Sequence, residues 1–180
     1  MSDVPGSMSS DINRLMLEAI SRGWLPTAEE LQQVLEHMAR AGYDSDARER
    51  ARGKLAGLNW QGRTLRGRDM LPPAEVHYLR HVIVQKEWPE GTTLEEYVQS
   101  IREAVLNPEA GVFVNRFENQ EWQLSVVAPT GRWLGPRGRE WTLVEYRLSI
   151  GHWVTAYQLS DTWDMIAGQP QRSDVRWLRR

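Results

Sequence analysis

The sequence predicts an α+β protein: N-terminal helices followed by two helices packed on a four-stranded antiparallel meander sheet. Three observations carry this prediction. Apolar residues recur at helical spacing as far as Val105. From Gly111 onward the apolar period changes to two. The period-two segments follow one another across short turn sequences, and such strands pair with their neighbours in the chain.

The elements are justified in order. Ile12, Leu15, Met16, Ala19 and Ile20 make one helical stripe, and Gly23 ends it. Thr27 with Glu30 forms a capping box ahead of Leu31, Val34, Leu35 and Met38, and Gly42 closes this second helix. Asp44 or Ser45 can cap a third, basic helix with Ala47, Ala51 and Leu55 on one side. Glycines 57, 62 and 67 then interrupt the chain, so "NWQGRTLRGRDMLPP" reads as a loop or linker, with a soft boundary near residue 70. Pro72 and Pro73 suit the start of a helix through "AEVHYLRHVIVQ", with Val76, Leu79 and Ile83 inward. Thr92 or Thr93 caps the next helix, whose stripe is Leu94, Tyr97, Val98, Ile101 and Val105. "GVFVNRF", "EWQLSVVA", "WTLVEYRLSI" and "WVTAYQL" are the four strands. "SDTWDMIAG" is expected to add a turn of helix before a loose tail. The organisation expected is a helical region over 1–70, an α+β domain over 71–165 and a basic tail over 166–180.

Composition narrows the function classes. The 180 residues are 41% hydrophobic and 26% charged, the balance of an ordinary folded chain. No apolar run approaches the roughly 18 residues of a membrane span. "MSDVPGSMSS" lacks a basic segment followed by an apolar one, so no secretory signal is expected and cytoplasmic residence is the default. Cysteine is absent, which excludes disulfides and thiolate zinc sites. The net charge of −2 is unevenly spread: Arg48, Arg50, Arg52, Lys54, Arg63, Arg66 and Arg68 cluster in the basic helix and the loop after it. Such a patch can attract phosphate although the whole chain is slightly acidic. Nine tryptophans are many for this length, and packing is the expected duty of Trp122, Trp141 and Trp153.

The candidate chemistry lies in two places. His77 and His81 are spaced i, i+4 with Arg80 beside them, so they share a helix face. "HYLRH" lacks the acidic residue of a zinc-protease helix, and neither a metal nor a cofactor is expected. One of these histidines could act as a general acid or base. The second place is the hairpin "EYRLSIGHWVTAYQ". With a Gly151–His152 turn, Thr155 and Tyr157 share the apolar face with Tyr146 and Val144, while Glu145 and Arg147 face the other way. Glu145 could take the proton of a ribose 2′-hydroxyl, and Arg147 could neutralise charge on a phosphate. A three- or five-residue loop would change which residues share a face.

The order of these elements, with "HYLRH" on a helix, a helix ending in "NP", three strands, and "VTAY" on the last strand, resembles the Barnase–EndoU–Colicin–RelE superfamily of small metal-independent ribonucleases. The resemblance covers roughly residues 72–160, and many members of that superfamily are toxins. It implies an RNase-like domain over 71–165, with His77 or His81 as acid or base. It also implies Thr155 and Tyr157 as substrate contacts and Arg116 or Arg147 as phosphate holders. This conflicts with the Gly151–His152 register, which sets Thr155 and Tyr157 apart from Glu145 and Arg147. RNA is the expected partner, along with a cognate protein bound through the N-terminal helices. The alternative is a non-catalytic module that binds protein or nucleic acid through Arg48, Arg50, Arg52, Arg80 and Arg116.

Overall fold

The computed structural model describes residues 6–57, 59–60, 63–64, 71–118 and 120–180. The first helix, α1 (Gly6–Ser21), leads to α2 (Ala28–Ala39), whose capping box joins Thr27 and Glu30. Helix α3 (Ser45–Leu55) is capped by Asp44, whose carboxylate accepts from the Asp46 and Ala47 amides. Two-residue strands β1 (Asn59–Trp60) and β2 (Arg63–Thr64) pair antiparallel in the segment expected to be a linker. The rest of that segment up to Met70, and with it the soft boundary near residue 70, lies outside the described residues. Helix α4 (Pro73–Tyr78) runs into a π-helical turn, Leu79–Val84, before α5 (Leu94–Leu106), whose cap is Thr93. Strands β3 (Gly111–Arg116), β4 (Trp122–Pro129), β5 (Trp141–Arg147) and β6 (His152–Leu159) follow, then α6 (Trp163–Ala167) and β7 (Ser173–Arg179).

The fold is α+β with one main sheet of five antiparallel strands, in the order β6-β5-β4-β3-β7. The expected four-stranded meander is thus corrected by a fifth strand. The tail expected to be loose returns to the free edge of β3, where Trp177 pairs with Phe113 and Arg176 with Val114. Its charged alternation, "SDVRWLR", hides a strand because edge strands tolerate charge on both faces.

The sheet is covered on two sides. On one face Val112, Val114, Leu124, Val126, Val144, Tyr146 and Ala156 meet Ile101, Ala104 and Val105 of α5 in the largest core cluster. Helices α1 and α2 contribute Met16, Ile20, Leu31, Leu35 and Met38 to that same cluster, so more than two helices build this layer. On the other face Phe113, Val127, Leu143 and Leu159 form an apolar half beneath Ile166 of α6, with Trp163 and Trp177 packed around them. The remaining half of that second face is polar.

The hairpin register also differs from the expected one. Arg147 pairs with His152, so Leu148–Gly151 form a four-residue loop, and a bulge follows between the pairs Tyr146–Trp153 and Glu145–Thr155. The extra residue, Val154, resets the alternation. Thr155 and Tyr157 therefore lie on the same face as Leu143, Glu145 and Arg147. Gly151 closes the loop at φ +71°, and a Cβ there would stand 2.2 Å from the Asn13 amide of α1. Packing against α1 thus decides the loop together with the local turn preference.

One connection sets the second face apart. Between α2 and α3, Gly42 and Asp44 bond to the backbone of Trp153 on the edge strand β6, at 2.9 and 3.1 Å. The Trp153 indole donates to the Met38 carbonyl at 3.0 Å. These bonds blunt the sheet edge and carry the chain around it. Helix α3 therefore emerges beside the polar half of the second face. Ala51 and Leu55 pack there against Val76 and Leu79, which binds α3 to α4.

Candidate functional site

A cleft of about 460 Å³ opens over the polar half of the second face. Its floor is Gln123 of β4, Glu145 and Arg147 of β5, and Val154, Thr155 and Tyr157 of β6. One wall is Ala47, Arg50, Ala51 and Lys54 of α3 with His77 and Arg80 of α4 and its π-helical continuation. The opposite wall is Phe117 and Glu118 from the β3–β4 turn with Gln169, Gln171 and Arg172 from the α6–β7 connection.

The bulge in β6 brings together the residues that the sequence register had set apart. Glu145, Arg147, Thr155 and Tyr157 share one floor, and His77 and Arg80 border it. Among the described residues, five cationic side chains (Arg50, Lys54, Arg80, Arg147 and Arg172) line the cleft against two carboxylates, Glu118 and Glu145. Low-dielectric walls lined by one sign of charge concentrate counter-charged ligands.

Other candidates stand elsewhere. Arg116 pairs with Asp174 at 3.5 Å and lies over the Trp122 ring, away from the cleft. Arg48 donates to Glu49 at 3.1 Å, and Arg52 lies 3.8 Å from the same carboxylate. Of the arginines on the basic helix only Arg50 borders the cleft. His152 is exposed at the hairpin. His37 of α2 is half-buried.

Four rings stack in a column beside the floor. Tyr43 stacks on His77 with centroids 3.9 Å apart. His77 lies 6.0 Å from His81, and His81 lies 6.0 Å from Tyr157, each pair within 17° of parallel. His77 reaches the cleft, whereas His81 sits one layer behind it. Both rings are only 2% exposed. His81 Nδ1 is 3.3 Å from Glu87 Oε2, a buried carboxylate that also accepts from Arg139 and from the Gln158 amide. Neither ring nitrogen of His77 forms a hydrogen bond with good geometry among the described residues. Burial, reinforced by His81, lowers the His77 pKa to about 3, and a backbone contact with Ala47 offsets this only in part. Burial likewise lowers His81 despite the opposing pull of Glu87. Burial raises the Tyr157 phenol, with Glu145 adding to the shift, so it keeps its proton through neutral pH.

The floor is anchored by a residue that the sequence reading placed in a loose tail. Arg172 is 8% exposed and donates to Glu145 Oε1 at 2.5 Å, to Asn115 at 3.2 Å, to Ser125 at 3.3 Å and to Gln169 at 3.2 Å. Ser125 donates to Glu145 Oε2 at 3.0 Å and accepts from Asn115 at 2.9 Å. The guanidinium also lies over the Phe113 and Phe117 rings, at 5.5 and 5.4 Å. Both Glu145 oxygens are thus engaged. The one signal in sequence was an inward-facing polar set, Asn115, Ser125 and Glu145, on adjacent strands, which needs a cation if it is buried.

Among the described residues, no group of three or more histidine, aspartate or glutamate side chains is placed to hold a metal ion. No described helix is long and apolar enough to cross a membrane. Comparison with known families, curated proteins and solved structures finds no match to the chain.

Proposed function

We propose that the cleft binds single-stranded RNA and cleaves it without a metal ion, by attack of a ribose 2′-hydroxyl on the adjacent phosphate. The supporting observation is the convergence of His77, Arg80, Arg147, Thr155 and Tyr157 around one concave cleft lined mostly by cations. In this reading the 2′-oxygen bonds to phosphorus and the bond from phosphorus to the 5′-oxygen breaks. His77, neutral at pH 7, takes the 2′ proton. Tyr157, protonated at pH 7, supplies a proton to the departing 5′-oxygen. Arg147 and Arg80 neutralise the charge that builds on the phosphate oxygens. Glu145 is committed to Arg172 and Ser125, so its role here is to hold the floor rather than to move a proton. The products carry a 2′,3′-cyclic phosphate and a 5′-hydroxyl.

End-labelled RNA incubated with the purified chain tests this. Cleavage products with cyclic phosphate ends are expected. Arg147→Ala should slow cleavage by on the order of 10²-fold, and His77→Gln by at least as much, with the folded state retained. Intact RNA at every enzyme concentration refutes the catalytic step.

A second reading keeps the cleft and drops the cleavage. The observation favouring it is the His77 pKa of about 3, which makes that ring a weak base before a ligand arrives. RNA retained on the protein without new ends, and released by Arg147→Ala, would select this non-catalytic binding module.

A further inference from the structure

The two walls of the cleft differ in chemistry, and that difference suggests which part of a nucleotide lies where. The wall beside β6 carries Arg50, Lys54 and Arg80, for which no acidic partner stands within ion-pair distance among the described residues. The wall beyond β4 carries the Phe117 ring, the amides of Gln169 and Gln171 and the Glu118 carboxylate, and its one cation among the described residues, Arg172, is already paired with Glu145. From β6 to β4 is two strand spacings, roughly 10 Å. That matches the reach of one nucleotide from its phosphate to the edge of its base.

The amides on the far wall are arranged to read rather than to fill space. Gln169 Oε1 accepts from Arg172 at 3.2 Å and from the Gln171 amide at 3.5 Å. These bonds orient both side chains. They leave the Gln169 NH₂ as a donor and the Gln171 carbonyl as an acceptor. Phe117 is held under the Arg172 guanidinium and half-exposed, so it presents a ring to the cleft. A stacking face beside one donor and one acceptor is the set that recognises a nucleobase. A wall meant only for phosphate would carry more cations.

We propose that Phe117, Gln169 and Gln171 form a nucleobase subsite, with Gln171 reading the base edge, so that the cleft prefers one ribonucleotide over the others. This rests on the phosphate-binding reading of the opposite wall. Gln169 and Gln171 come from the α6–β7 connection and Phe117 from the β3–β4 turn, so the subsite joins two segments distant in the chain.

Titration of the full chain with the four ribonucleoside 3′-monophosphates, and with ribose 5-phosphate as a probe lacking a base, tests the subsite. One nucleotide should bind about ten-fold tighter than ribose 5-phosphate. Gln171→Ala should erase the ranking among the four, and Phe117→Ala should weaken all four about five-fold or more. Neither change should alter ribose 5-phosphate binding. Equal affinity for all five probes, each weakened by Arg147→Ala, overturns the base subsite and leaves the phosphate reading standing. Binding of none of the five overturns both.

Discussion

His77 shows how one residue can belong to the core and to a site at once. It is buried between Tyr43 and His81, yet its edge borders the cleft. Its pKa of about 3 in the folded state compares with 6.5 when unfolded. Between those values the unfolded chain binds a proton that the folded chain excludes. Stability from this ring is therefore fully present above pH 6.5 and lost as pH falls toward 3, by ~1.4 kcal/mol per pH unit. His81 contributes in the same direction. Urea midpoints measured from pH 7 down to pH 4 should fall, and His77→Phe, which keeps the stack on Tyr43, should flatten part of that slope. An identical slope in the variant would show that His77 is not the group being protonated. In the sequence, the i, i+4 spacing with Arg80 indicated that the two histidines share a helix face. It could not show which of them is lidded. That depends on Tyr157, 80 positions from His77, and on a strand bulge.

At the scale of elements, the polar half of the sheet is held by a residue from outside it. Arg172 arrives from the α6–β7 connection and closes a network over β3, β4 and β5. Arg172→Ala leaves Glu145 buried without a counter-charge, and the expected cost is about 3–5 kcal/mol by chemical denaturation. Adding Glu145→Gln removes the stranded charge, so the double variant should lose less than the sum of the two single changes. Strictly additive losses would mean that the pair is not coupled. The helices were legible one by one because capping boxes and apolar stripes are local signals: Thr27 with Glu30 appears as read, and of the two candidates Thr92 and Thr93 it is Thr93 that caps α5. The hairpin was not, because Val154 is extra only relative to its partner strand. Nor was β7, because its pairing edge on β3 lies about 60 residues away.

At the scale of the whole molecule, both ends of the chain meet the same sheet. Met16 and Ile20 of α1 join the core on one face, and Trp177 of β7 covers Phe113 on the other. Arg176 donates to the Ile20 carbonyl and so ties the last strand to the first helix. Ending the chain after Gly168 should therefore unfold more than the tail. The melting temperature should drop, and amides of Val112–Arg116 should exchange faster as β3 becomes an edge. An unchanged melting temperature would make β7 a peripheral addition.

The sequence by itself determined the α+β class, the Thr27–Glu30 cap and most of the helices. Those depend on periodicity and on contacts three or four residues apart. It also named the residue types of the cleft. Only the tertiary structure decided that His77, Arg147, Thr155 and Tyr157 face one space and that Arg172 completes its floor. One bulge changes the side of every residue after it, and a buried carboxylate takes its counter-charge from wherever the chain returns.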